Sequence, residues 1–154
     1  MLENILSIMI FLPIVVGIAM LILPISKDAA RALGLVVSVI VVIFGIKLFL
    51  SFNGADGGFE FAKVIPLVGS LGISFSLGVD GISLLVLMAA AALYPMVFLL
   101  FVTKPKGYYS NLLIAQGAMI GAICATDMIV FYIFWEIMLL PVFFMIGLYG
   151  GPKR

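Results

Sequence analysis

Long apolar runs alternate with short polar breaks along this chain. Five runs stand out, at positions 5–23, 30–52, 81–103, 108–125 and 127–149. Each is continuous rather than alternating, and each comes near the roughly 20 residues a helix needs to cross hydrocarbon. The fourth is the shortest. Pro24 closes the first run, and Pro13 and Pro95 inside the first and third predict bends. Asp80 stands where the third helix needs an N-cap. "KPKG" separates the third and fourth runs, and the short "CATDM" separates the fourth and fifth. "GGPKR" closes the last with a glycine signal and a proline beyond it.

The polar interval 53–80 is more than a tether. Within it "FEFAKVIPL" and "GISFSLGV" are rich in aromatic and β-branched residues. Two readings stand side by side: a small hairpin lying on the membrane surface, or an irregular loop with apolar anchors. The expected fold is therefore all-α and integral to a membrane. It has five transmembrane helices in a single membrane domain over 1–154, with a hairpin at 53–80 as the possible addition.

Charge gives this array a direction. With five crossings, Lys27, Arg31, Lys104, Lys106, Lys153 and Arg154 all fall on one side. The other side holds Lys63 as its one loop cation, together with Glu3, Asp56, Glu60, Asp80 and Asp127. Cytoplasmic loops carry the excess of Lys and Arg. The N-terminus is thus expected outside, periplasmic in the inner membrane of a bacterium, and Arg154 in the cytoplasm. Four or six crossings would scramble the pattern. The first run has no basic segment ahead of it, only Glu3, so it is expected to remain as a span rather than be removed as a signal peptide.

Composition agrees. Apolar residues make up 66% of the 154 and charged residues 10%, with a mean hydropathy of +1.41. A soluble domain carries about a quarter charged residues. Histidine is absent and Cys124 is the one cysteine. A haem, iron–sulfur or zinc site built from this chain alone is not expected, and no cofactor is assigned. Cys124 reads as a small hydrophobe. The net charge of +1 gives no reason to expect a nucleic-acid partner.

Against this background Glu136 is conspicuous. It is an acid in the middle of the fifth run, about 14 Å from the outer end of that helix. An acid at helix centre is disfavoured by about 2.5–3.5 kcal/mol. Intramembrane acids mark proton or ion paths or pair with a basic partner, and the plainer reading is a hydrogen bond to a neighbouring helix. Pro141, five residues on, lacks an N–H and frees the carbonyl of Ile137. We therefore read it as a helix break that supports the site. Lys47 is the one lysine within a run. It lies near the outer end of the second, where it reaches the headgroups or joins a charge network. "GAMIG" at Gly117–Gly121, the alanines near it, Gln116, and "MAAAAL" in the third run read as helix-packing features. Trp135 is too deep for an interfacial belt and reads as packing too.

Two stretches carry a resemblance: "GVDGIS" at Gly78–Ser83, and "FWEIMLLP" at Phe134–Pro141. With the surrounding sequence, in order and including the 53–80 interval, they resemble the N-terminal helices of the antiporter-like membrane-arm subunits of respiratory complex I, the NADH:quinone oxidoreductases. The resemblance implies a proton-translocating subunit that works beside other membrane-arm subunits in the lipid bilayer. Redox chemistry is then done elsewhere in the complex. It implies that Glu136 matches the family's proton-transfer glutamate, whose lysine partner lies on a later, broken helix, past position 154. The chain then looks like an N-terminal fragment. Two other readings are kept: a subunit of an Mrp-type cation/proton antiporter, which is similar in these same helices, and a purely structural membrane scaffold.

Overall fold

The structure is a computed structural model, and it describes residues 3–54, 58–68, 73–101 and 103–150. Its elements are α1 (Glu3–Ile22), α2 (Lys27–Ser51), β1 (Glu60–Val68), β2 (Ile73–Val79), α3 (Gly81–Leu100), α4 (Lys106–Cys124) and α5 (Met128–Tyr149). The fold is thus a helical membrane bundle with one hairpin, the ordered one of the two readings of 53–80. Asp56, positions 69–72, and Gly151 to Arg154 with the cations Lys153 and Arg154 lie outside the described residues.

Side-chain caps set several helix starts. The Ser26 hydroxyl accepts from the N–H of Ala29 at 3.2 Å, so α2 begins at Lys27, a turn before the apolar run. Asp80 and Ser83 form a reciprocal capping box on α3, at 2.7 and 2.8 Å. The Asp127 carboxylate accepts from the N–H groups of Ile129 and Val130 at 2.9 and 3.2 Å and opens α5. Gly150 closes α5 by an N–H to Ile146 O bond of 3.0 Å with φ −70°, so the glycine signal works here without a left-handed turn. Pro13, Pro95 and Pro141 all lie inside helices that continue through them.

Four helices are long and apolar enough to cross a membrane, namely Asn4–Ile22, α2, α3 and α5. α4 falls short, because it opens "KGYYSN". Its position explains the composition. α4 packs against α1, α2, α3 and α5, and most of its residues are buried. A helix sheathed by protein needs no lipid-compatible surface. Its buried Ser110 and Asn111 turn back on the helix itself and donate to Lys106 O (3.1 Å) and Gly107 O (2.8 Å).

Small residues let the helices come this close. α1 and α4 run antiparallel and meet reciprocally. Gly17 lies against the Ser110 carbonyl, and Gly117 lies against the Ile10 carbonyl. Gly121 lies under the Phe134 ring of α5, and Gly34 and Gly45 of α2 lie against Phe98 and Met88 of α3. The "GAMIG" stretch thus packs α1 and α5 onto the central helix.

At one end of the bundle, cations close helix C-termini. Lys106 donates to Leu21 O and Leu23 O at 3.2 and 2.9 Å, at the C-terminal end of α1. Arg31 donates to Phe98 O and Leu99 O at 2.8 and 3.1 Å on α3. Lys104 reaches Tyr149 O on α5 at 3.5 Å. The last carbonyls of a helix have no partner within it and carry partial negative charge, so a cation there satisfies both needs. The hairpin covers the opposite end. β1 and β2 pair antiparallel from Glu60↔Val79 to Val68↔Ile73. A register shift between Glu60 and Lys63 coincides with the positive φ (54°) of Phe61, the mark of a bulge. Leu77 and Val79 are fully buried in the bundle core. Phe75 meets Phe11 of α1 and Phe134 of α5, with ring centroids 6.2 and 6.3 Å away. Thr126 donates its N–H to Ser76 O at 3.0 Å, and Lys63 donates to Asn4 at 3.0 Å.

Candidate functional site

α5 has one face turned inward. Val130, Phe134 and Pro141 are buried, with the Phe134 ring over Gly121. At 100° per residue Glu136 lies about 160° round the helix from Phe134, on the far side. Glu136 is accordingly exposed, in a stripe with Tyr132, Leu139, Leu140 and Phe143. The acid is thus not buried among the described residues, as the apolar sequence around it had suggested. It stands on the outer surface of the bundle, about 12 Å along a helix about 33 Å long. Tyr132, exposed one turn earlier on the same stripe, is the other polar side chain of that face.

Pro141 does not break the helix. α5 is continuous from Met128 to Tyr149, and Pro141 is buried about 140° round the axis from Glu136. The carbonyl it frees, on partly buried Ile137, therefore faces the core side rather than joining the carboxylate in one polar foothold. Lys47 is not brought to Glu136 either. It is exposed near the hairpin end of α2, and makes no ion pair among the described residues. α2 and α5 each pack on α4. Trp135 packs at a tilt against Phe131, ring centroids 5.9 Å apart, and lines an apolar groove over α4 with Met119, Ala122 and Ile123.

A second polar pair lies inside the bundle. Ser38 of α2 donates its hydroxyl to Gln116 Oε1 of α4 at 2.8 Å, with both side chains fully buried. Gln116 was legible as a helix-bonding residue. Ser38, a lone serine in a valine-rich run, gave no signal of its own, because only the α2–α4 contact makes it a partner.

No family model matches the chain. Individual relatives do. It is 31% identical over 160 residues to the NADH-quinone oxidoreductase subunit M of Rhodobacter capsulatus, covering 99% of this chain and 31% of that protein. It is 32% identical over 134 residues to the F(420)H(2) dehydrogenase subunit M of Methanosarcina mazei, covering 84% and 27%. Its fold superposes on a chain of respiratory complex I from Thermus thermophilus with a TM-score of 0.79 and 28% identity, covering all of this chain and 30% of that one. The chain thus spans about three-tenths of the length of the proteins it matches. In sequence and in fold together, it is a relative of the M subunits of the NADH:quinone oxidoreductases and matches one membrane-embedded stretch of them.

Proposed function

We propose that this chain is part of a proton-translocating membrane subunit of an NADH:quinone oxidoreductase, and that Glu136 takes up and releases the proton. One observation carries the reading: a single carboxylate about 12 Å into an apolar helix, on a face that the described residues leave uncovered. An ionised acid facing lipid is unfavourable, whereas one facing a hydrated cavity or a cation is not. The stripe from Tyr132 to Phe143 is therefore where further membrane protein closes over the acid. The counter-charge comes from there, since Lys47 lies elsewhere. Movement of that charge toward or away from Glu136 changes its proton affinity, which is how quinone reduction in other subunits is coupled to proton transport. Pro141 contributes by seating α5 on α4, and Lys47 by reaching the headgroups.

The partners are the other membrane-arm subunits and the lipid bilayer. The bundle sits in a bacterial cytoplasmic membrane with the hairpin in the periplasm. The gathering of Lys104, Lys106 and Arg31 at the opposite end supports this orientation. Similarity to an F(420)H(2) dehydrogenase subunit favours a second reading, in which the same proton module is driven by that electron donor. The subunits that co-purify separate the two, and would equally reveal an Mrp-type antiporter.

The test is Glu136→Gln in the assembled complex, followed by proton uptake into inverted membrane vesicles. Transport should be abolished while the subunits still assemble. Undiminished transport would refute the role, and a harmless or stabilising Glu136→Leu would favour the scaffold reading.

A further inference from the structure

Three helices bring polar groups to one level inside the bundle. α2 and α3 are antiparallel, with Gly34 against Phe98 and Gly45 against Leu87 and Met88. That register sets Ser38 opposite Tyr94. Ser38 bonds Gln116 of α4 at 2.8 Å. Tyr94 reaches α4 as well, its hydroxyl 4.0 Å from the sulfur of Met119, three residues past Gln116. Ser38 and Gln116 are fully buried and Tyr94 is 8% exposed. Ser38 and Gln116 each lie about 15–17 Å along their helices from the cation-capped end, at mid-depth.

Their hydrogen bonding is incomplete. Gln116 Nε2 is buried and has no partner among the described residues. Exchanging the amide oxygen and nitrogen does not help, because Ser38 satisfies one end and the other stays alone. Among the described residues the Tyr94 hydroxyl has only a thioether sulfur, a weak acceptor, as its partner. Pro95 has no N–H, so the carbonyl of fully buried Ala91 loses its helical donor. The Gln116 amide and the Ala91 carbonyl therefore lack partners at the level of a hydroxyl that has a weak one, and unpaired polar groups are unfavourable in an apolar interior. A single water with two to four polar partners is the usual solution in such a place.

We propose that Ser38, Tyr94 and Gln116 enclose a bound-water site at the centre of the α2–α3–α4 packing. The Gln116 amide donates to the water, and the water donates onward to the Tyr94 hydroxyl or the Ala91 carbonyl. The site is separate from Glu136, which projects from the far side of α5. Its effect is to fix the rotation of the three helices at mid-depth, whereas the Arg31 bonds to Phe98 O and Leu99 O tie α2 to α3 at the cation-capped end.

Radiolytic hydroxyl labelling of the whole chain in its native membrane tests this. Radicals formed from a bound water oxidise the side chain beside it. Met119 borders the site; it is half-buried and also lines an apolar cleft with Leu93, Val97 and Leu112 and the Trp135 groove. Met138 is half-buried and lines the same groove on α5, away from the site, and is the control. Met119 should be oxidised several-fold more than Met138, and Gln116→Leu should bring it down to the Met138 level. Equal labelling of Met119 and Met138 in the unaltered chain, or Met119 labelling undiminished by Gln116→Leu, would each overturn the proposal. If Gln116→Leu does not fold, the comparison of Met119 with Met138 in the unaltered chain still decides.

Discussion

Replacing Gly117 with alanine tests whether α1 and α4 are held at backbone contact. The added methyl would stand 2.6 Å from Ile14 Cγ1 and 3.0 Å from Pro13 Cγ, and against the Ile10 carbonyl oxygen. Carbon atoms rest at about 3.5–4.0 Å, and a carbon rests no closer than about 3.3 Å to a carbonyl oxygen. The carbonyl is backbone and the proline ring is rigid, so a rotamer change cannot relieve the clash. The helices must part by roughly 0.5–1 Å along this seam, which overpacking data put at about 1–3 kcal/mol. Alanine regains about 1 kcal/mol in helix propensity. The net loss is therefore about 0–2 kcal/mol, which at its upper end is roughly 4–8 °C in a thermal midpoint measured in detergent for a chain of this size. Gly147 is the control. It lies in α5 with nothing within 4 Å of an added methyl, so Gly147→Ala should be neutral or slightly stabilising. If Gly117→Ala were as harmless as Gly147→Ala, the close crossing of α1 and α4 would be wrong.

Gly17→Ala strikes the same seam from the other helix, with Ser110 O 2.8 Å from the new methyl. The double variant should lose less than the sum of the two single variants, because one displacement relieves both. Arg31→Met removes two bonds to the end of α3, at Phe98 and Leu99, and should cost about 1 kcal/mol in a thermal melt. The backbone N–H of Ser83, and then its hydroxyl, hold the Asp80 carboxyl below its ordinary value of 3.8. That stabilisation is complete above 3.8 and is lost as pH falls through the lower folded value. Melts at decreasing pH should thus lose stability below about pH 4, and Asp80→Asn, which caps without titrating, should lose this component.

Much of this protein was already readable in the order of its residues. Five apolar runs correspond to five helices, four of them long and apolar enough to cross hydrocarbon, because length and hydropathy are properties of the sequence. Asp80 announced its cap for the same reason, since a cap and its helix are neighbours in the chain. The one-sided distribution of Lys and Arg was equally plain, although the carbonyls that Arg31, Lys104 and Lys106 close lie on other helices and had no trace in the sequence.

Only the tertiary structure decided which way each helix faces. α5 is apolar all round, so no periodic stripe gives its rotation. The Phe134–Gly121 contact sets it and turns Glu136 outward, and it carries Pro141 to the core side instead of leaving it beside the acid. The same holds for α4. Its run was the shortest of the five, and its place at the centre of four other helices makes its polar opening suitable. Ser38, Tyr94 and Gln116 meet because three helices pack, and packing depends on residues far apart in the chain.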